Sequence, residues 1–547
     1  MTARADPSTT PVAPPANARS SRSGSGEDGA TASIGATRDL GPLLFAVGLF
    51  AVAFAIRFLV ARMLAGEPVW DGHYYDFGAR RIAEGHGYSD DRVVAGRVEW
   101  HPWCHYPVGY SAYLGFFYWV FGAHGWVAHL ANGLTGALVP VVVYLLGREG
   151  ISERRARIAG ALTALHPGLV LYGALVMGEL LSALTVMTAF LVAVRGSRVW
   201  TGGTWLLRLR GVIAGALVLG IGALVRPQAL LCAPFLALAL PPSGEGSFLG
   251  RWTPRIQAAI VACVFALVPV LPWTARNCRV MDGCALVSTN AGWNLAIGSF
   301  PRATGRFETL RSTDGCREVT GQVQQDRCWL EYGLANIRQT PGRWLGLVPA
   351  KLANTFDHES FAVEYLREAR PADWPEARRV AWRSALTAMH RVLVVAAPLA
   401  FVALALPRRR GRSDASSSED APGARRRAWM AQAILFGLVV LAAYLGISAD
   451  TPTFWPIVLV ASVLPCLSLP GRPAVTPALL LPIVLIATTA LTHAVFFGDD
   501  RYHMVVTPAL CLLAAAMFRA PGASRPRNAH GADTVGVRAA GTSSSSS

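Results

Sequence analysis

The segment Trp70-Asp71-Gly72-His73-Tyr74-Tyr75-Asp76 sets two carboxylates and an imidazole among aromatic rings, directly after an apolar run from Gly41 to Leu64. Such groups are costly to hold at a lipid boundary, so their clustering points to a reaction or binding site there. Glu179 is a second intramembrane candidate. Between Ile158 and Val194 it and His166 are the only acidic, basic or imidazole side chains. That run, about 55 Å long as a helix, exceeds one span and must fold back near Val176, which puts Glu179 close to an outer turn.

The elements that must position these groups are membrane helices. The chain has 547 residues, 52% hydrophobic and 15% charged, and several stretches of about 17 to 25 residues lack any charge, the length needed to cross a bilayer. The formal charge of +16 does not indicate nucleic acid, because the arginines gather in short loops between apolar runs: Arg148 with Arg154, Arg155 and Arg157; Arg195 with Arg198, Arg208 and Arg210; Arg251 with Arg255; Arg408 to Arg412 with Arg425 to Arg427. By the positive-inside rule these loops are cytoplasmic. Spans are read at 41–64, 127–147, 156–174, 177–195, 211–225, 227–241, 256–273, 389–406, 428–447, 453–470, 474–497 and 503–518. The expected fold is an all-α polytopic membrane protein of about twelve transmembrane helices with both termini cytoplasmic. Splitting 211–241 at Arg226-Pro227 into two short helices keeps the flanking arginine loops on one side, whereas a single tilted helix would bury Arg226-Pro227 in mid-membrane.

This gives the following organisation: a polar cytosolic tail, 1–39; an N-terminal membrane module, 40–273, with a first outer loop at 65–126; a small extracytoplasmic domain, 274–388; C-terminal membrane helices, 389–518, with a cytosolic linker at 407–427; and a second polar tail, 519–547. The first apolar run follows a long polar tail and reads as a signal anchor. Within the first outer loop, Val108 to Phe121 is aromatic and bounded by glycines, and is expected as a helix lying in the interface. No internal repeat supports an inverted-repeat transporter.

The nine cysteines divide along the same lines. Cys232, Cys263, Cys466 and Cys511 fall in apolar spans and read as packing residues. Cys278, Cys284, Cys316 and Cys328 fall in the outer domain, where disulfides are more usual than a zinc site. Four cysteines allow three connectivities; the short separations favour Cys278–Cys284 and Cys316–Cys328, with Cys104 left over. The histidines His73, His86, His101 and His105, taken with Asp71, match no standard zinc spacing and read as solvated loop residues, so no metal ligand is assigned.

From about Leu43 to Phe518 the order of short motifs resembles the C-type (GT-C fold) membrane glycosyltransferases, in particular bacterial relatives of dolichyl-phosphate-mannose protein mannosyltransferase and of the lipid A aminoarabinose transferase. The motifs are Asp71 with Tyr75; Tyr106-Pro107-Val108-Gly109-Tyr110; Gly178-Glu179; Arg226-Pro227; Pro272-Trp273-Thr274-Ala275-Arg276-Asn277; Ser288 to Leu295 with Ile297-Gly298; and Arg501-Tyr502. The resemblance implies inverting transfer of a sugar from a polyprenyl-phosphate carrier to an acceptor hydroxyl of a protein, lipid or cell-envelope glycan, on the outer face of the cell membrane. Asp71 is the implied catalytic base, because an attacking hydroxyl needs a carboxylate to take its proton, and Glu179 is its alternate. Arg226, Arg276, Lys351 and Arg501 are the candidate cations for the departing phosphate. Tyr75, His105, Tyr110, Asn290 and Tyr502 complete the expected substrate-binding set.

Each residue also admits a plainer role. Asp71 suits the N-cap of a helix starting near Tyr74. Glu179 could anchor a hairpin by pairing with an arginine, and Arg226 could snorkel to the headgroups. No Gly-rich phosphate loop follows a strand, so a nucleotide donor is not implied. A diphosphate carrier would call for a divalent metal ion as cofactor, whereas a monophosphate would not; the sequence leaves that choice open, together with the sugar. The alternative reading is a flippase for a polyprenyl-linked sugar or another polytopic transporter. Charges on an outer loop suit chemistry on a lipid headgroup, whereas transport favours charges at the midplane.

Overall fold

The computed structural model describes residues 40–198, 205–240, 248–405, 422–463 and 475–517. Two units are separable, Met1–Pro42 and Leu43–Ser547, and every contact below lies within the second. The two polar tails, most of the 407–427 linker and Cys466 fall outside the described residues.

In chain order the helices begin with α1 (Gly41–Met63), α2 (Asp71–Ala83), α3 (Val108–Phe121), α4 (Gly125–Arg148), α5 (Glu153–Leu165), α6 (Pro167–Leu171), α7 (Glu179–Arg198) and α8 (Trp205–Val225). A 3₁₀-wound helix follows at Pro227–Ala239, then α9 (Phe248–Leu267), α10 (Leu271–Val280), α11 (Ala291–Ile297), α12 (Gln322–Gln339), α13 (Pro341–Gly346), α14 (Val348–Phe356) and α15 (Phe361–Ala369). The last part is α16 (Glu376–Ala405), α17 (Pro422–Ser448), α18 (Trp455–Val463), α19 (Pro477–Val495), a 3₁₀ turn at Asp500–Val505 and α20 (Thr507–Ala515). The strands are β1 (Ser89–Val94) and β2 (Arg97–Pro102), an antiparallel hairpin pairing Ser89 with Pro102 and Val94 with Arg97. Ala95 and Gly96, both at positive φ (50° and 76°), make its two-residue turn, the backbone twist that tight hairpins require.

Five described helices are long and apolar enough to cross a membrane: Gly41–Met63, Gly125–Arg148, Glu179–Ser197, Glu376–Phe401 and Pro477–Val495. The pair Trp252–Leu267 and Leu271–Val280, bent by 47°, makes up to six. The expected count of about twelve is not reached by that measure among the described residues, because several apolar runs are interrupted. The 156–174 run ends as a helix at Leu165 and restarts at Pro167, since proline cannot continue the preceding ladder. Arg57, fully buried on α1, donates to the carbonyls of Ala164 at 2.8 Å and Thr163 at 3.1 Å, which the break leaves without helical partners. Likewise α8 stops at Val225 and the chain restarts at Pro227; the two helices pack on each other, as the split reading required.

The helix expected at Val108 to Phe121 is α3, with those bounds. It packs on α2 and leaves Phe116, Trp119, Val120 and Phe121 exposed. Its first turn leans on the backbone of α8: a Cβ on Gly109 would come within 2.6 Å of the Leu224 carbonyl oxygen and the Val225 nitrogen. That close approach fixes α3 one turn from Arg226.

The expected domain borders at 273/274 and 388/389 both fall inside helices, α10 and α16. The intervening segment has its own core around fully buried Trp329, with Ile297, Phe300 and Leu310, and it takes in Phe497 and Tyr502 from the far end of the chain. Disulfides join Cys278 to Cys284 and Cys316 to Cys328, the pairing favoured by the spacing, and Cys104 is free and buried.

Candidate active site

Asp71 is the first residue of α2, but its side chain does not cap the helix. Its carboxylate accepts the Tyr106 hydroxyl at 2.7 Å and pairs with the Arg501 guanidinium, joining side chains 430 residues apart. Trp70, just before it, sits at φ 52°, a conformation uncommon for a non-glycine residue, and its ring packs against Phe361 and Tyr365. Tyr106 is held by the following Pro107, whose φ of −59° starts α3.

Arg501 is positioned by its neighbours in the 3₁₀ turn. Asp499 caps the turn, accepting the Arg501 N–H at 3.1 Å, and the Asp500 carboxylate accepts the N–H groups of Ser360 and Phe361 at the start of α15. Arg501 also donates to the Tyr502 hydroxyl at 3.0 Å and lies 4.9 Å from that ring's centre. Arg226 lies 5.2 Å from the same ring and pairs with Glu179, which is fully buried at the first turn of α7. Two carboxylate–guanidinium pairs thus share one aromatic platform. The other ring stacked on Tyr502 is His493, 4.0 Å away.

Arg226, His493 and Tyr502 line a cleft together with Ser182, Gln228 and Thr492. Arg226 Nε and Gln228 Oε1 are buried there without hydrogen-bond partners, as is Oε2 of Glu179, the carboxylate paired with Arg226. Unsatisfied donors and acceptors of this kind carry a large desolvation cost, and a polar ligand in the cleft would relieve it.

Burial pushes the Asp71 carboxyl up, but Arg501, the Tyr106 hydrogen bond and Arg226 outweigh it and hold the group below the usual carboxylate range. Asp71 is therefore ionised across the neutral range. Tyr106 is driven upward by burial and by the Asp71 charge, so it stays a phenol and a donor. Burial lowers His105 and raises Asp499 to about 6.

The structure brings together Asp71, Tyr75, Glu179, Arg226, Arg501 and Tyr502; Tyr75 is buried between the two charged pairs and packs edge-on against Tyr106 and Tyr110. His105 packs on Tyr106 and on Trp293 at the rim. Tyr110 lies beneath, its hydroxyl donating to Asn132 of α4 at 2.8 Å. Arg276 stands apart, stacked on Trp273 and donating to the carbonyls of Tyr88 and Trp103. Asn290 accepts from Ser288 at the N-terminus of α11, and buried Lys351 donates to the Val495 carbonyl at 3.0 Å. None of these last three touches the Asp71 pair. The sequence reading passed over Trp70, Phe361, His493 and Asp499 as site residues; the dense charge of Asp499-Asp500-Arg501 beside an apolar run was the available signal.

Residues 105–273 match the family model described as dolichyl-phosphate-mannose-protein mannosyltransferase. The resemblance read from the motifs is thus shown over a segment that holds His105, Tyr110, Glu179 and Arg226 and stops short of Asp71 and Arg501. No curated protein matches the chain. Among solved structures, the oligosaccharyltransferase AglB of Archaeoglobus fulgidus, in complex with an inhibitory peptide and a dolichol-phosphate, is similar at 14% identity and a TM-score of 0.40, covering 86% of this chain and 50% of that one. ArnT of Cupriavidus metallidurans, bound to undecaprenyl phosphate, is similar at 16% identity and a TM-score of 0.33, covering 88% of this chain and 78% of that one. The chain spans about half the length of the archaeal enzyme, and at these scores the likeness assigns neither substrate nor mechanism.

The Glu179–Arg226 pair makes a stability prediction. Arg226→Ala strands a fully buried carboxylate, a change that costs about 3–5 kcal/mol. Thermal unfolding in detergent is expected to show a large drop for Arg226→Ala, and partial recovery when Glu179→Gln is added to it. Equal stability of wild type and Arg226→Ala would mean the pair is not desolvated.

Proposed function

We propose that the protein is an inverting glycosyltransferase that moves a sugar from a polyprenyl-phosphate carrier to an acceptor hydroxyl on the outer face of the cell membrane. The observation that carries this reading is Asp71: an ionised, half-buried carboxylate paired with Arg501, beside a second carboxylate–arginine pair whose Arg226 lines a cleft with unsatisfied polar groups. In a single displacement the acceptor oxygen attacks the anomeric carbon, its proton passes to Asp71, and the bond to the phosphate breaks with its electron pair leaving on the phosphate oxygen. Arg501 and Arg226 would hold that phosphate through bidentate donor geometry that an ammonium cannot supply.

The Asp71–Arg501 pair gives this scheme a built-in order. Without donor, the guanidinium holds Asp71 as a weak base. An arriving phosphate competes for the same donors, so the carboxylate gains proton affinity when the leaving group is in place. Hydrogen bonding from Tyr106 keeps it oriented meanwhile.

The topology proposed with this function has about twelve spans, cytoplasmic termini, an outer loop at 65–126 and an extracytoplasmic domain at 274–388, so that both pieces bearing on the cleft face the outer leaflet. The two disulfides within 274–388 support an oxidising compartment for it.

Asp71→Asn keeps the shape of the side chain but removes the proton acceptor. Transfer by purified protein is expected to fall about 100-fold to 10,000-fold with donor binding retained; activity within a few-fold of wild type would move the base elsewhere, with Glu179 next in line. The pH profile tests the pairing. With the cation removed in Arg501→Gln, Asp71 is protonated at higher pH, so the acid limb of kcat/KM should move upward relative to wild type, and an unmoved or lowered limb would exclude Asp71 as the titrating base. The topology is checked by membrane-impermeant labelling of single cysteines introduced at Ser312 and at Ser152. Label from outside is expected at the first and not at the second, and equal labelling of both would place the outer domain and the arginine loops on one side.

A further inference from the structure

Glu359, His390 and His503 come together in the core from three separate elements: the turn between α14 and α15, the middle of α16, and the 3₁₀ turn that carries Arg501. They are 2%, 0% and 0% exposed, so whatever satisfies them must come from inside. One carboxylate oxygen and one ring nitrogen from each histidine lie within 4.8 Å of one another.

The hydrogen bonds fix which nitrogens are available. His503 Nδ1 is 2.8 Å from the Thr355 carbonyl, which can only accept, so Nδ1 carries a proton, and Nε2 is the nitrogen turned to Glu359 Oε2, at 3.5 Å. His390 Nε2 is 2.9 Å from the Phe356 carbonyl and carries its proton by the same logic, leaving the Nδ1 lone pair buried with no partner. Glu359 Oε1 is also buried without a partner. The two rings stack at 3.8 Å. His166, fully buried at the break between α5 and α6, stands beside the carboxylate with its Nε2 unpartnered.

We propose that Glu359, His390 and His503 bind a divalent transition metal ion, with zinc as the best fit to two imidazoles and one carboxylate. Backbone carbonyls holding the far nitrogen of each imidazole are the arrangement that orients metal-ligating histidines. In a tetrahedral site with bonds of about 2.1 Å, ligand atoms stand about 3.4 Å apart, so the three atoms are near enough to reach one ion, and the two stacked rings swing out of parallel to aim both nitrogens at it. Three protein ligands leave a fourth position for water. The ion would tie the 357–360 turn and α16 to the segment bearing Arg501, two residues before His503, and so hold the cation that pairs with Asp71. Its role is structural and stands independently of the sugar-transfer reading.

The test uses the full chain, purified in detergent without a histidine tag, loaded with zinc sulfate and dialysed. About one zinc per chain is expected by elemental analysis for wild type and for His73→Gln, a control at an exposed histidine, falling below about a tenth in Glu359→Gln and His390→Gln. Zinc should also raise the denaturation midpoint of wild type and not that of His390→Gln. Loading wild type with cobalt(II) instead should give the visible absorption of a four-coordinate ion, a readout that needs no variant to fold. Wild type that takes up neither metal, or zinc retained in full by His390→Gln, would overturn the proposal and leave a hydrogen-bonded histidine–glutamate cluster.

Discussion

The ion pair between Asp71 and Arg501 closes the molecule on itself. It joins the start of α2 to the last turn before α20, and neither partner can leave it without exposing a desolvated charge. The neighbours of Arg501 extend that constraint: Asp500 takes the first N–H groups of α15, Asp499 caps the turn, and Tyr502 lies under both guanidiniums. A carboxylate that would otherwise face water is thereby given a fixed direction, a fixed charge and a cation that another anion can compete for.

Breaks in the helices make this arrangement possible. A membrane helix satisfies its own backbone, and where it stops its end groups need other partners, so polar and charged side chains gather at the break. The chain stops at His166-Pro167, at Arg226-Pro227 and before Glu179, and those stops place His166, Arg226 and Glu179 at helix ends. The freed backbone groups are then taken up by side chains, as Arg57 takes the carbonyls of Thr163 and Ala164. Gly109 works differently, letting α3 reach the backbone of α8 so that the loop bearing Tyr106 lies close to the end of the helix bearing Arg226.

Cations of similar sequence appearance turn out to do different work. Arg276 spends its donors on the carbonyls of Tyr88 and Trp103, binding the β-hairpin loop to α10, and Lys351 holds the end of α19 through the Val495 carbonyl. Of the four candidate cations, Arg226 and Arg501 are the two that pair with carboxylates, each beside the face of the Tyr502 ring.

The sequence by itself determined the membrane character, the helix at Val108 to Phe121 with its bounds, the break at Arg226-Pro227 and the disulfide pairing, because each follows from local quantities: the length of an apolar run, a proline's missing N–H, a short cysteine separation. It also marked Asp71, Glu179, Arg226, Arg501 and Tyr502 by type and place. It did not separate them from Arg276, Asn290 and Lys351, nor find the Glu359, His390 and His503 cluster, whose members are spread over some 145 positions and carry no local spacing. Only the tertiary structure decided which carboxylate meets which guanidinium. Pairing of desolvated charges depends on distances between elements far apart in the chain, and no periodicity or spacing encodes those distances.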